Sequence, residues 1–141
     1  MKKATWLVVA VSLVLSGLAS SQEWTNSSKR IIQVPFDFMI ANKIVPAGKY
    51  QVKAATPFDS SVLTIGNAGS SLYSITYKTE HYAAAAHYSL VFEKYGNRYF
   101  LREFRLGGSK IAYHFPISKV ERELAAQNIT PHEEILQSSA E

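Results

Sequence analysis

The chain has 141 residues, no cysteine and a formal charge of +4, with 47% hydrophobic and 12% aromatic residues. The missing cysteine excludes disulfide bracing, thiolate catalysis, cysteine-held zinc or iron–sulfur sites, and lipid attachment through a lipobox thiol. Lys and Arg are scattered, with no run longer than Lys29-Arg30, which excludes the clustered basic face of a nucleic-acid-binding protein.

Residues 1–21, MKKATWLVVAVSLVLSGLASS, read as a secretory signal peptide. Lys2 and Lys3 form the positive start, Ala4 to Leu15 is apolar without a charge, and Gly17 to Ser21 supplies small residues at cleavage spacing. The apolar run is shorter than the ~20 residues of a membrane span. Cleavage after Ala19 and after Ser21 both satisfy the small-residue rule. Without Lys2 and Lys3, the 15 Lys and Arg become 13 against 11 Asp and Glu, a net of +2. The expected product is one domain of about 120 residues, enough for a single core. It is periplasmic or secreted, and meets the membrane only during export.

Residues 22–29, QEWTNSSK, read as a polar linker. From Arg30 the dominant period is two, the strand signal. Ile32, Val34, Phe36, Phe38 and Ile40 alternate with Gln33, Pro35, Asp37 and Met39 as one strand, which Pro35 places at an edge or bulge. Ala41-Asn42-Lys43 is a turn, Val45-Pro46-Ala47-Gly48 has the type I pattern, and Tyr50, Val52 and Ala54 continue as a strand. Thr56 to Ser60 is a loop, Val62 to Ile65 a strand, and Gly66 to Gly69 a turn. Leu72 to Thr79 is a strand with Tyr73, Ile75 and Tyr77 on one face. His81 to Ala86 reads as an irregular connection or a single turn.

Segments 87–94 and 98–106 pair as a hairpin. A two-residue loop at Gly96-Asn97 sets Phe92 opposite Leu101 and Leu90 opposite Glu103, mixing charge into both faces. A three-residue loop, Tyr95-Gly96-Asn97, sets Phe92 opposite Phe100 and Tyr88 opposite Phe104, and is the expected register because a one-residue slip exchanges the faces. It gathers His87, Ser89, Glu93, Glu103 and Arg105 on a solvent face and leaves Arg102 on the apolar one, opposite Leu90. Gly107-Gly108 is the next turn, and Ile111, Tyr113 and Phe115 form the last strand. Ser118-Lys119-Val120-Glu121 matches a capping box and opens a helix to about Gln127, with Val120 and Leu124 as a thin apolar stripe. Residues 128–141 are a polar tail in which Thr130 to Glu133 has the pattern of a cap for a second short helix. The domain thus spans 30–127 and is all-β: about eight short strands in an antiparallel barrel or sandwich, with a C-terminal helix.

VPFDFMIANKIVPAGKYQV, LVFEKYGNRYFLREF and PISKVERELA, in that order, resemble the motifs of a group of small exported bacterial β-proteins. These share a VPFDF…PAGxYxV opening, an LVFxxYGxxYFL hairpin and an ERELA-type ending. The resemblance covers roughly residues 32–126. It implies an exported β-domain and brings no catalytic or binding residues with it.

Candidate chemistry is sparse. His81, His87, His114 and His132 show no metal-ligand spacing and read as surface residues, so no metal or other cofactor is expected. Asp37, Asp59, Glu80, Glu93 and Glu103 are available for glycoside hydrolysis, which needs two carboxylates about 5–10 Å apart, but no spacing selects a pair. No GxSxG or phosphate-cradling loop occurs, and Asn26-Ser27-Ser28 and Asn128-Ile129-Thr130 read as chance sequons. The sixteen aromatic residues beyond Trp6 belong to strand-forming segments for the most part, where they fit a packed core or the mouth of a ligand-binding barrel. In the ligand-binding case Arg102, beside Tyr88 and Phe104, is the candidate counter-charge for an acidic group; otherwise it reaches a rim or pairs with an internal acid. The leading expectation is a non-enzymatic envelope or secreted domain that binds a partner. The alternatives are a barrel carrier of a small apolar or acidic ligand and, last, a glycan-acting hydrolase.

Overall fold

The structure, a computed structural model, describes residues 31–54, 61–81 and 83–139. The expected signal peptide, the linker and the loop at 56–60 lie outside the described residues. Those that are described form β1 (Ile31–Val34), β2 (Phe38–Ile40), β3 (Lys43–Val45), β4 (Gly48–Ala54), β5 (Val62–Gly66), β6 (Ser71–Ile75), β7 (Tyr77–Glu80), β8 (Ser89–Tyr95), β9 (Arg98–Arg105), β10 (Ile111–His114), α1 (Lys119–Ala126) and β11 (His132–Gln137). A four-stranded sheet runs β1-β4-β5-β6. A seven-stranded sheet runs β11-β8-β9-β10-β7, with β2 and β3 added beside β9. The two pack as a sandwich and do not close into a barrel, which removes the barrel mouth as a ligand site.

The all-β class is as the period-two pattern predicts, and the interior explains why. Ile32, Val34, Tyr50, Val52, Leu63 and Ile65 from the smaller sheet meet Phe38, Ile40, Leu90, Phe92, Leu101 and Phe104 from the larger one, all buried in one cluster. Successive side chains of a strand alternate between faces, so each strand supplies this layer with every second residue. Phe92 sits edge-on to Phe36 and Phe38, with ring centroids 5.2 Å away in both pairs, and Phe38 is edge-on to Tyr50 across the sheets.

Two expected single strands are each two strands in different sheets. The chain leaves the smaller sheet at Pro35, where the missing N–H ends the ladder, and re-enters the larger one as β2. The Pro-terminated β1 lies at a sheet edge. In the same way β6 passes to β7 through Thr76, whose backbone N–H and hydroxyl both donate to the Ser61 carbonyl. Tyr73, Ile75 and Tyr77, expected on one face of one strand, are all exposed, but the first two lie on the smaller sheet and Tyr77 on the larger one. One pairing is parallel, β2 on β9.

The expected three-residue hairpin loop is corrected. Tyr95 pairs with Arg98 across the two-residue loop Gly96-Asn97, and Phe92 faces Leu101. Gly96 has φ of 62°, while Asn97 does not take a positive φ, the pattern of a II′ turn with glycine at its first central position. A bulge between Val91 and Phe92 then shifts the partners, so that Leu90 faces Phe104 and Val91 faces Glu103. An extra residue in one strand re-aims the side chains beyond it. The bulge keeps Leu90, Phe92, Leu101 and Phe104 on the core face and rotates Arg102 off it. The core face is thereby free of charge, while the outer face still mixes the two, with Glu93 opposite Phe100 and Val91 opposite Glu103.

The capping box forms as predicted: the Ser118 hydroxyl accepts from the Glu121 N–H at 3.0 Å, and Asn128, with φ of 58°, follows the last turn of α1 in the left-handed region. The thin apolar stripe is not what anchors this helix; Glu121 is its buried residue. The expected second short helix is instead β11, antiparallel to β8. Without it, the outer edge of β8 would expose a row of unpaired backbone groups.

Candidate functional site: a histidine–glutamate cluster

The outer face of the larger sheet carries the residues that the core face rejects. Residues directly opposite in adjacent strands share a face. The pairs Tyr77↔His114, Thr79↔Ala112, His114↔Glu103 and Ala112↔Arg105 therefore bring Tyr77, Thr79, Glu103, Arg105 and His114 together on β7, β9 and β10. His81 joins them one residue past β7, its N–H held by the Lys110 carbonyl at 2.8 Å.

Glu103 is the centre, in a residue only 7% exposed. Its Oε1 lies 2.5 Å from His81 Nε2 and accepts from Arg105 Nε at 2.6 Å. Its Oε2 lies 3.8 Å from His114 Nδ1. The other nitrogen of His114, Nε2, is 2.7 Å from the Thr79 hydroxyl, and the Tyr77 ring stacks on the imidazole at 4.9 Å. Burial pushes the Glu103 carboxyl upward, but the Arg105 and His81 hydrogen bonds outweigh it and hold it below the usual glutamate value. Burial also draws His114 down, against the pull of Glu103. An ionised carboxylate thus faces a neutral His114 at pH 7.

Beside the cluster lies a hollow of about 350 Å³ walled by His81, Ala83 to Ala85, Arg105, Ser109 and Ile111. The alanine segment is pinned there by backbone bonds. Ala85 donates to the Ser109 carbonyl and accepts from Gly108, and it forms a parallel bridge with Gly107. The chain just beyond the alanines requires glycine at 107: a Cβ there would stand 2.8 Å from the Tyr88 nitrogen. Gly107→Ala is expected to lower stability by about 1–3 kcal/mol in urea unfolding, as overpacking against fixed backbone does.

The candidate ligand trio of the sequence does not assemble. Tyr88 and Phe104 stack at 6.1 Å and pack with the core. Arg102, turned away by the bulge, lies beneath α1, 3.5 Å from Glu121 and 3.9 Å from Glu93, and donates to the Phe115 carbonyl. Pairing with an internal acid is the arrangement found. None of the three lines the hollow beside His81. Glu103, expected among solvated outward charges, is buried. Of the four histidines, His81 and His114 converge on it, whereas His132 is exposed on β11. Strand alternation already put Thr79 with His81, and Glu103 with Arg105. The adjacency of β7 to β10, which joins them, has no local signal.

No protein-family model matches the chain, and neither a curated protein nor a solved structure matches it. The chemistry of the site is therefore read from its own geometry.

Proposed function

We propose that this chain is an exported, non-enzymatic binding domain that holds a small ligand at the outer face of its larger sheet, where the cluster of Glu103, His81, His114 and Arg105 meets, through His81 and Arg105, the hollow lined by Ala83 to Ala85. The observation that carries the reading is the buried Glu103 carboxylate with two imidazoles and a guanidinium around it. Ionisable groups are costly to desolvate unless paired, and their concentration beside a concave surface is characteristic of functional sites. Export is read from the N-terminal run, and no helix among the described residues is long and apolar enough to cross a membrane.

Thr79, His114 and Glu103 stand in the order of a nucleophile, base and acid, which favours a hydrolase as the second reading. Two features weigh against it. His114 Nδ1 is 3.8 Å from the carboxylate, beyond a hydrogen bond. Thr79 also sits within a paired strand rather than on a turn that offers free N–H donors to an oxyanion. Glu93 and Glu121 do approach each other, but Glu121 is buried, with its side chain 4% exposed, and both carboxylates are paired with Arg102.

Native mass spectrometry of protein purified from its own envelope fraction tests the binding role. A retained species is expected on the unaltered chain and absent from Ala84→Phe, which fills the hollow and leaves every residue of the cluster in place. No retained species, or one indifferent to Ala84→Phe, overturns the reading.

A further inference from the structure

We propose that His81, Glu103 and His114 are the protein ligands of a divalent transition-metal site of the zinc class. This assignment rests on the reading of the cluster as the binding site and names what it holds. One ligand atom from each residue lies within 4.8 Å of the other two. Tetrahedral zinc with bonds of about 2.0–2.1 Å sets its ligand atoms roughly 3.3 Å apart. The Glu103 contacts of 2.5 Å to His81 and 3.8 Å to His114 lie on either side of that spacing.

The supporting residues match what a metal site requires. A metal-bound imidazole uses its second nitrogen to hold its orientation through an outer partner. The Thr79 hydroxyl at His114 Nε2 does this and leaves Nδ1 facing the carboxylate. Arg105 holds Glu103 in the same sense, and its charge moderates the affinity. Two imidazoles and a carboxylate suit zinc-like ions rather than calcium or magnesium, which prefer all-oxygen sets. The strands β7, β9 and β10 fix the backbone of Thr79, Glu103 and His114, whereas His81 stands at a strand end with its side chain 37% exposed. It is the ligand through which an ion enters. Three protein ligands would leave a fourth position for water or a small donor.

Zinc chloride titrated calorimetrically into chelator-stripped protein, purified without a polyhistidine tag, tests the site. One ion per chain is expected, with a dissociation constant near or below about 1 µM. At a hundredfold excess over that constant, the thermal midpoint should rise by on the order of 10 °C. His114→Ala and Glu103→Gln are expected to weaken zinc by more than tenfold. Thr79→Val keeps the β-branched shape and the fold, and is expected to weaken it by about tenfold. His132→Ala should change nothing. Absence of zinc binding, or affinity unchanged in Thr79→Val and His114→Ala, overturns the metal site. If zinc fails while a retained species is still lost in Ala84→Phe, only the metal assignment falls; if that retained species is missing too, the binding role falls with it.

Discussion

Arg102→Met is expected to destabilise the fold by about 3 kcal/mol, because it leaves Glu121 buried without its cation. The Glu121 side chain is 4% exposed, and Arg102 Nε stands 3.5 Å from it. Burial already pushes the Glu121 carboxyl above the usual glutamate value, Arg102 pulls it back, and Glu93 adds to the rise. Removing the guanidinium removes the pull, so the folded chain holds a proton on Glu121 to higher pH than the unfolded chain does. With more protons bound in the folded state, stability falls as pH rises from the unfolded value near 4.5 toward the raised folded value. Urea unfolding of Arg102→Met at several pH values should show that fall, larger than in the unaltered protein; a flat profile would mean that Glu121 has found water. The double variant Arg102→Met with Glu121→Gln buries no charge and keeps an acceptor for the Ser118 N–H. It is expected within about 1 kcal/mol of the parent.

Phe92→Ala is expected to cost about 3–5 kcal/mol, a large share of the 5–15 kcal/mol that holds a domain together. Phe92 is 0% exposed, and its neighbours Phe36 and Phe38 are rings already locked by other contacts. Phe36 stacks on Tyr99 at 3.6 Å, and Phe38 is edge-on to Tyr50. Neither is free to collapse into the vacated space, so the lost burial and the cavity both count. The urea midpoint should drop by about 2 M, against less than about 0.5 kcal/mol for Tyr73→Ala on the exposed face. Equal effects from the two variants would show that the aromatic layer does not join the sheets.

Strand content and the capping box of α1 were legible because their causes are local. Alternation at Ile32, Val34, Phe38 and Ile40 marks a buried face wherever the strand lies, and Ser118 needs only Glu121 to cap. Arg102 shows where local reading stops. Either uniform register left a charge on a core strand, and one bulge, invisible to a uniform period, resolves the conflict by giving β9 one extra residue. The polar tail misled for a related reason. Its low apolar content fits a frayed end until β8 offers an unpaired edge, and then backbone hydrogen bonds decide that 132–137 is a strand.

The assembly of the candidate site lies on the other side of that line. Residue types and alternation by themselves determined an all-β domain without thiol chemistry, and put Thr79, Glu103 and His114 at strand positions. Which strands stand side by side was decided only by the tertiary structure, because burial of the shared aromatic layer sets the sheet order. That order places β7 against β10 and β10 against β9, and so joins residues such as Thr79 and His114, 35 positions apart in the chain, around one buried carboxylate.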